Sequence, residues 1–150
     1  MLSINYYGGK VRLAEWIISH FPKHTTYIEP FGGGAAVLLN KPRSKNEIYN
    51  DKDNWVVNFF WVLREQWDEF IHKATLLEAS KYLELWAKEV YKKPIEIPSM
   101  EHALAFWWSA VYSVKAPKPD SLDLVSRSIT TFNTSNKLEK IKKRMGGKDY

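Results

Sequence analysis

The chain has 150 residues, of which 45% are hydrophobic and 15% aromatic, so it can form one ordinary domain and does not resemble a disordered chain. It has no cysteine, which excludes a disulfide framework, a thiolate metal site and a cysteine nucleophile. Its net charge of +5 favours polyanionic partners. No stretch approaches the roughly 18 apolar residues of a membrane span, and the N-terminus lacks the apolar segment of a signal peptide, so we expect an intracellular protein without a membrane partner.

The first third of the sequence alternates between helical and strand patterns. Apolar residues recur at helical spacing from Val11 to Phe21, and β-branched and aromatic residues from Thr25 to Pro30 predict a short strand. After a glycine turn, the predicted elements are a helix over AAVLLN, a strand over Glu47–Asp51, and a helix from about Asn54 to Lys73 with Asp53 or Asn54 as its N-cap. This order predicts a parallel α/β sheet.

The pattern from residue 74 onward is mainly helical. Helices are predicted over Leu76–Tyr91 and Met100–Val114, separated by the linker KKPIEIPS. The second helix is apolar nearly all round, so we expect it to be buried. The segment RSITTFNT (127–134) could be a strand, and Thr134 or Ser135 could cap a last, basic helix over NKLEKIKKRM.

Only two strands are clear in the sequence, or three if Ile129–Phe132 is counted. A two-stranded parallel sheet is a poor domain, because its edges stay unpaired and its faces need cover. The N-terminal third therefore resembles the beginning of a larger doubly wound sheet.

The stretch YIEPFGGGAAVLLN (27–40) places three glycines between a predicted strand and a predicted helix. Glycines there permit a tight turn and the close approach of a ligand to the main chain. Asp51 follows Glu29 by 22 positions and ends the next strand, which is the place of a carboxylate that binds ribose hydroxyls in nucleotide-binding folds. The alternative is that Gly32–Gly34 only form a turn and Asp51 only caps a helix.

The glycines do not follow the known phosphate-binding patterns. They are not followed by Lys-Ser or Lys-Thr, as in a Walker loop, and FGGGAA lacks the spacing of the dinucleotide fingerprint. The loop is therefore best suited to a ligand that contains a ribose but few or no phosphate groups.

Three motifs in order, NYYGGK (5–10), YIEPFGGGAAVLLN (27–40) and IYNDKDNWVVNFF (48–60), resemble the opening of Dam-type DNA adenine-N6 methyltransferases. The resemblance implies a partial Rossmann-like methyltransferase sheet with a helical DNA-recognition insert. It also implies S-adenosylmethionine as cofactor and double-stranded DNA as partner, in a cytoplasmic protein of a bacterium or phage.

The resemblance also assigns the cofactor-binding residues. Tyr6 matches an aromatic near the cofactor, or else is a core aromatic, and Lys10 matches a lysine that reaches the cofactor region, or else is a solvated surface charge. Asp51 matches the ribose-binding carboxylate. The residues that match the loop around the methionine part of the cofactor are Glu29, Pro30, Phe31, Gly32 and Gly34.

By the same resemblance, residues 1–53 form the cofactor-binding part, 54–135 a mainly helical DNA-recognition region, and 136–150 a basic helix that leads toward a catalytic half. The candidate DNA-binding residues are Lys115, Lys118, Arg127, Lys137 and Lys140. The basic helix could instead be a solvated face. Family members often carry a glycine-containing hairpin in this region, whereas residues 35–145 contain no glycine.

The catalytic Asp-Pro-Pro-Tyr type motif of the family is absent, because no two prolines are adjacent in the sequence. No metal-ligand spacing and no serine elbow is present either, so we assign no catalytic and no metal-binding residue. The expectation is a truncated methyltransferase that is inactive alone. The alternatives are a degenerate, non-catalytic DNA- or partner-binding protein, and one half of a split enzyme whose second polypeptide supplies the catalytic motif.

Overall fold

A computed structural model describes residues 4–113 and 131–145 of the chain. In these two ranges the elements, in chain order, are α1 (Ala14–Ser19), β1 (Thr26–Glu29), α2 (Ala36–Asn40), β2 (Asn46–Tyr49), α3 (Asn54–Glu65), α4 (Trp67–Ala74), α5 (Lys81–Lys92), α6 (Met100–Tyr112) and α7 (Thr131–Met145). The fold of the described part is therefore mixed α/β and mainly helical.

The two strands form a parallel pair, as the order of elements predicts. Their register places Ile28 beside Ile48 and Glu29 beside Tyr49. Side chains alternate between the two faces of a strand, and here Ile28 and Ile48 are about half exposed on one face. Tyr27, Glu29, Glu47 and Tyr49 are less exposed and lie on the other face.

The helix predicted from Asn54 to Lys73 is two helices in the structure. Gln66 leaves helical geometry, with φ −129° and ψ 38°, and separates α3 from α4. Because apolar residues continue at helical spacing on both sides of Gln66, periodicity alone did not reveal the break. Asp53 is the N-cap of α3, as predicted, and accepts a hydrogen bond from the Trp55 N–H.

The strand predicted within RSITTFNT is wrong for residues 131–134, because α7 begins at Thr131. The predicted caps at Thr134 and Ser135 are therefore wrong too. The β-branched residues favoured a strand locally, but Leu138 and Ile141 of α7 are fully buried in the core, and such packing overrides local propensity. Residues 127–130 lie outside the described residues.

Helix α6 lies at the centre of the core, as its apolar sequence predicts, and ten of its 13 residues are buried. It packs on α3, α4 and α5. The Phe59 ring of α3 stacks on Trp107 at a centroid distance of 6.0 Å and meets Phe106 at 5.1 Å with the two rings tilted. The same core includes Ile4 and Ile141, so it draws on residues from all three predicted regions. In the described part of the chain, no helix has the length and apolar character needed to cross a membrane.

Candidate functional site

The loop between β1 and α2 carries the three glycines against two tyrosine rings. Gly33 has a φ of +49°, in the left-handed region that favours glycine. A Cβ at Gly33 would lie 2.9 Å from the Tyr6 ring, and one at Gly32 would overlap the Tyr49 ring. Packing by Tyr6 and Tyr49 thus requires small residues here, before any ligand is considered.

The Asp51 carboxylate lies directly against this loop. Its Oδ2 accepts a hydrogen bond from the Gly33 N–H at 2.8 Å, and its Oδ1 accepts one from the Asp53 N–H at 2.9 Å. A carboxylate oxygen has two acceptor positions, so each oxygen can accept one further hydrogen bond. The structure thus brings together the loop and the carboxylate that the sequence singled out.

Tyr6 joins the N-terminal segment to the same cluster. Its hydroxyl donates to Asp53 Oδ2 at 2.7 Å. Burial and the nearby Asp53 carboxylate raise the pKa of Tyr6, so the phenol stays protonated. Tyr6 therefore lies beside the glycine loop and also packs against the core.

Tyr49 is a component of the site that sequence reasoning missed. Its hydroxyl donates to the Gly33 carbonyl at 2.6 Å, and burial raises its pKa. Gly33 is thus held on both sides, by Asp51 at its N–H and by Tyr49 at its carbonyl. The available signal was the alternation in β2, which turns Tyr49 to the inner face of the sheet.

Glu29 faces the start of α2. Its Oε2 accepts hydrogen bonds from the Leu38 N–H at 3.0 Å and from the Tyr27 hydroxyl at 3.2 Å. Burial raises the pKa of Glu29, although these two hydrogen bonds oppose the shift. In this structure the Glu29 carboxylate therefore satisfies an otherwise free N–H of α2.

The remaining predicted loop residues differ in their surroundings. The Phe31 side chain is 87% exposed beside the glycines, which leaves its ring free to contact a ligand. The Pro30 carbonyl accepts a hydrogen bond from Asn50 Nδ2 at 3.0 Å. A Cβ at Gly34 would lie 3.0 Å from the Ile4 carbonyl oxygen. Lys10 is exposed, and its ammonium donates to the Gly8 carbonyl at 2.8 Å, within its own segment.

The candidate DNA-binding residues are only partly covered by the structure. Lys115, Lys118 and Arg127 lie outside the described residues. Lys137 is partly buried, which lowers the pKa of its ammonium, whereas Lys140 is exposed on α7. Of the two, Lys140 is better placed to contact a phosphate. Across residues 4–113 and 131–145, no group of histidines and carboxylates is arranged to hold a metal ion.

Comparison with known proteins identifies the class. Residues 6–140 match the family described as D12 class N6 adenine-specific DNA methyltransferase. The matched range contains the glycine loop, Asp51 and helices α1–α6, and the chain belongs to this family.

One curated relative is the modification methylase StsI of Streptococcus sanguinis. It is 36% identical to this chain over 64 residues, which are 42% of the chain and 10% of that relative. The matched part is thus well under two thirds of the relative.

Proposed function

We propose that the chain binds S-adenosylmethionine at the glycine loop and serves in the N6-methylation of adenine in DNA, within a Rossmann-like methyltransferase sheet. The observation that carries the proposal is the Asp51 carboxylate, which is bonded to the Gly33 N–H and retains acceptor capacity on both oxygens. The family membership supports the same reaction.

The loop offers complementary groups to each part of such a cofactor. Two vicinal ribose hydroxyls can donate to the free acceptor positions of Asp51, and the exposed Phe31 ring can stack on an adenine. Lys10 is the cation that would pair with the cofactor carboxylate, in exchange for its exposed bond to the Gly8 carbonyl. The bound cofactor supplies a methyl group on a sulfonium centre, and the chain binds and orients it.

The loop residues do not include the groups that would bind the target adenine, which accepts the methyl group. An adenine amine needs hydrogen-bond acceptors and a stacking aromatic, which the family places in its Asp-Pro-Pro-Tyr motif, and the sequence has no adjacent prolines. We therefore propose that residues outside the 150, such as a second polypeptide, supply those groups.

Cofactor binding is tested by calorimetry with S-adenosylmethionine on the wild type, Asp51→Asn and the matched control Asp68→Asn. The Asp68 carboxylate is fully exposed and 3.8 Å from Lys142, so the control removes the same charge away from the loop. We expect Asp51→Asn to weaken binding at least tenfold, about 1.4 kcal/mol, because a charged acceptor of two hydroxyls is lost. Asp68→Asn should bind as the wild type does.

Circular dichroism establishes that each variant is folded. Absence of binding by the folded wild type, or equal affinities of the wild type and Asp51→Asn, would overturn the cofactor assignment.

The need for further residues is tested by methyl transfer from labelled cofactor to duplex DNA. The chain alone should give no incorporation above a protein-free blank. Sustained turnover would show that the 150 residues already contain the acceptor side of the site.

A further inference from the structure

The peptide group between Gly33 and Gly34 is free of the steric limits that fix most of a main chain. Neither of its two residues carries a Cβ, so rotation is little restricted on either side of it. A ligand can come close to such a peptide group, but the same freedom lets the group turn away from the orientation that a ligand needs. Interactions other than backbone sterics therefore have to fix this orientation.

Three consecutive residues at the end of β2 hold the loop. The Asn50 carbonyl accepts a hydrogen bond from the Gly32 N–H at 3.0 Å. Asp51 accepts one from the Gly33 N–H at 2.8 Å, and the Tyr49 hydroxyl donates to the Gly33 carbonyl at 2.6 Å. Asn50 and Asp51 thus fix the peptide groups before Gly33, and the Tyr49 hydroxyl fixes the one after it.

The ring and the hydroxyl of Tyr49 have separate partners. The ring packs against Phe60 at a centroid distance of 5.0 Å and occupies the space where a Cβ of Gly32 would be. A phenylalanine ring would make the same contacts, so packing does not account for the hydroxyl. Burial, and after it the charge of the Asp51 carboxylate, raise the pKa of Tyr49, so the hydroxyl remains a hydrogen-bond donor.

Gly33 connects the Tyr49 hydroxyl to the Asp51 carboxylate. Its carbonyl is bound by Tyr49, and its N–H is bound to Asp51 Oδ2. The other carboxylate oxygen of Asp51 accepts the Asp53 N–H, so two main-chain donors together set the direction of the carboxylate. If Gly33 turns, the Oδ2 bond is lost, and the remaining acceptor positions of Asp51 no longer have a fixed direction.

We propose that Tyr49 is a positioning residue for the nucleoside part of the ligand: its hydroxyl holds Gly33, and through Gly33 the Asp51 carboxylate, in the orientation that accepts two vicinal ribose hydroxyls. This inference rests on the function proposed above and adds to it a residue that acts on the ligand through others. A merely structural Tyr49 would affect the stability of the fold but not the affinity of the folded protein for its ligand.

A double-mutant cycle tests this proposal, with S-adenosylmethionine as the probe and calorimetry as the measurement. Its members are the wild type, Tyr49→Phe, Asp51→Asn and the double variant. We expect Tyr49→Phe to weaken binding about fivefold or more, which corresponds to the loss of one hydrogen bond. In the Asp51→Asn background the same change should cost less than about twofold, because the carboxylate that Tyr49 orients is already lost.

The matched control is Tyr112→Phe. The Tyr112 hydroxyl of α6 donates to the Leu77 carbonyl at 3.1 Å, so the control removes a tyrosine-to-carbonyl bond that is not part of the loop. Tyr112→Phe should bind the probe as the wild type does. Circular dichroism establishes that each variant is folded.

A second measurement needs no ligand. In NMR spectra of the free protein, Tyr49→Phe should shift the Gly33 amide proton and speed its exchange with solvent, because the bond to Asp51 is no longer held in place. Tyr112→Phe should leave both properties of the Gly33 amide unchanged.

Several outcomes would overturn this inference alone and leave the cofactor assignment standing. They are equal affinities of the wild type and Tyr49→Phe, the same loss in both backgrounds, an equal loss in Tyr112→Phe, an unchanged Gly33 amide, and a Tyr49→Phe chain that does not fold. Absence of binding by the folded wild type would instead remove the proposed function, and this inference with it.

Discussion

At Gly33 two separate constraints coincide. The main chain is left-handed, with φ +49°, and the Tyr6 ring occupies the space where a Cβ would be. The N–H and carbonyl of Gly33 are both used, by Asp51 and Tyr49. The loop is thus held in one conformation by protein groups. Because it is already ordered, ligand binding costs less conformational entropy.

We predict that Gly33→Ala destabilises the protein more than Gly8→Ala does. Gly8 also has a positive φ, +74°, but a Cβ there would meet nothing within 4 Å. Gly8→Ala should cost about 1 kcal/mol from backbone strain, and Gly33→Ala a further 1–3 kcal/mol from the overlap with Tyr6. The free energies of unfolding in urea measure the difference, and equal values would show that the Tyr6 contact is not tight.

Among the individual residues of the site, the sequence pointed to the Asp51 carboxylate but not to Tyr49. Asp51 could be found because its distance from the glycines along the chain is set by one helix and one strand. The bond from Tyr49 to Gly33 depends on how β2 is turned toward the loop, and aromatic residues are common in strands for packing alone. Glu29 was found as a loop residue, but its bond to the Leu38 N–H required coordinates.

Helix α7 is joined to β2 by a charged cluster around Glu47. Arg144 of α7 and the buried Lys41 both donate to the Glu47 carboxylate, at 2.8 and 2.7 Å. Burial alone would raise the pKa of Glu47, but the hydrogen bonds from Arg144 and Lys41 outweigh it and lower the pKa to about 2. The cluster connects elements that are 97 residues apart in the sequence.

We predict that this cluster stabilises the fold only while Glu47 is ionised. A depressed folded-state pKa gives stability that is complete above the unfolded value, near 4.5, and is lost as pH falls toward about 2. After allowance for solvent screening, the contribution is on the order of 2 kcal/mol. The difference in unfolding free energy between wild type and Glu47→Gln should therefore be constant above about pH 5 and shrink between pH 4.5 and 2.

The control for this prediction is Glu89→Gln. Glu89 forms an exposed pair with Lys92 on α5, so its neutralisation should change stability by less than about 0.5 kcal/mol at any pH. A wild-type minus Glu47→Gln difference that does not change with pH would contradict the assigned pKa.

Element by element, the sequence was most informative where one face of a helix or strand has to be buried. The apolar pattern of α6 and the β-branched and aromatic residues of β1 gave these elements within a few residues. The break at Gln66 and the start of α7 at Thr131 were missed, because both depend on tertiary packing around Phe70, Leu138 and Ile141. Local propensity contains no information about that packing.

In the whole molecule, the basic residues of α7 have two different roles: some hold the helix to the protein, and others are exposed to solvent. Lys142 lies over the Trp67 ring at 4.8 Å and Arg144 pairs with Glu47, so these two residues hold α7 to the protein. Lys140 and Lys143 are exposed on the same helix. They are the described cations of α7 that can neutralise DNA phosphates without breaking a contact within the protein.

We predict that the variant Lys140→Gln/Lys143→Gln binds duplex DNA more weakly and with a lower dependence on salt. Each lost phosphate contact should reduce the slope of log K against log salt by about 0.9. Gel shifts or fluorescence anisotropy between 50 and 200 mM salt measure the slope. The control Arg12→Gln/Lys23→Gln has the same net charge, and an equal loss of slope in it would show that only total charge matters.

The Tyr49 side chain connects the glycine loop to the core: its hydroxyl holds the Gly33 carbonyl, and its ring packs against Phe60 of α3 at a centroid distance of 5.0 Å. A ligand that binds the loop only in this arrangement therefore binds the folded protein and not the unfolded chain. Mass action then requires the ligand to raise the free energy of unfolding, and the gain grows with the logarithm of the free ligand concentration. Thermal midpoints measured over a series of ligand concentrations would report that gain.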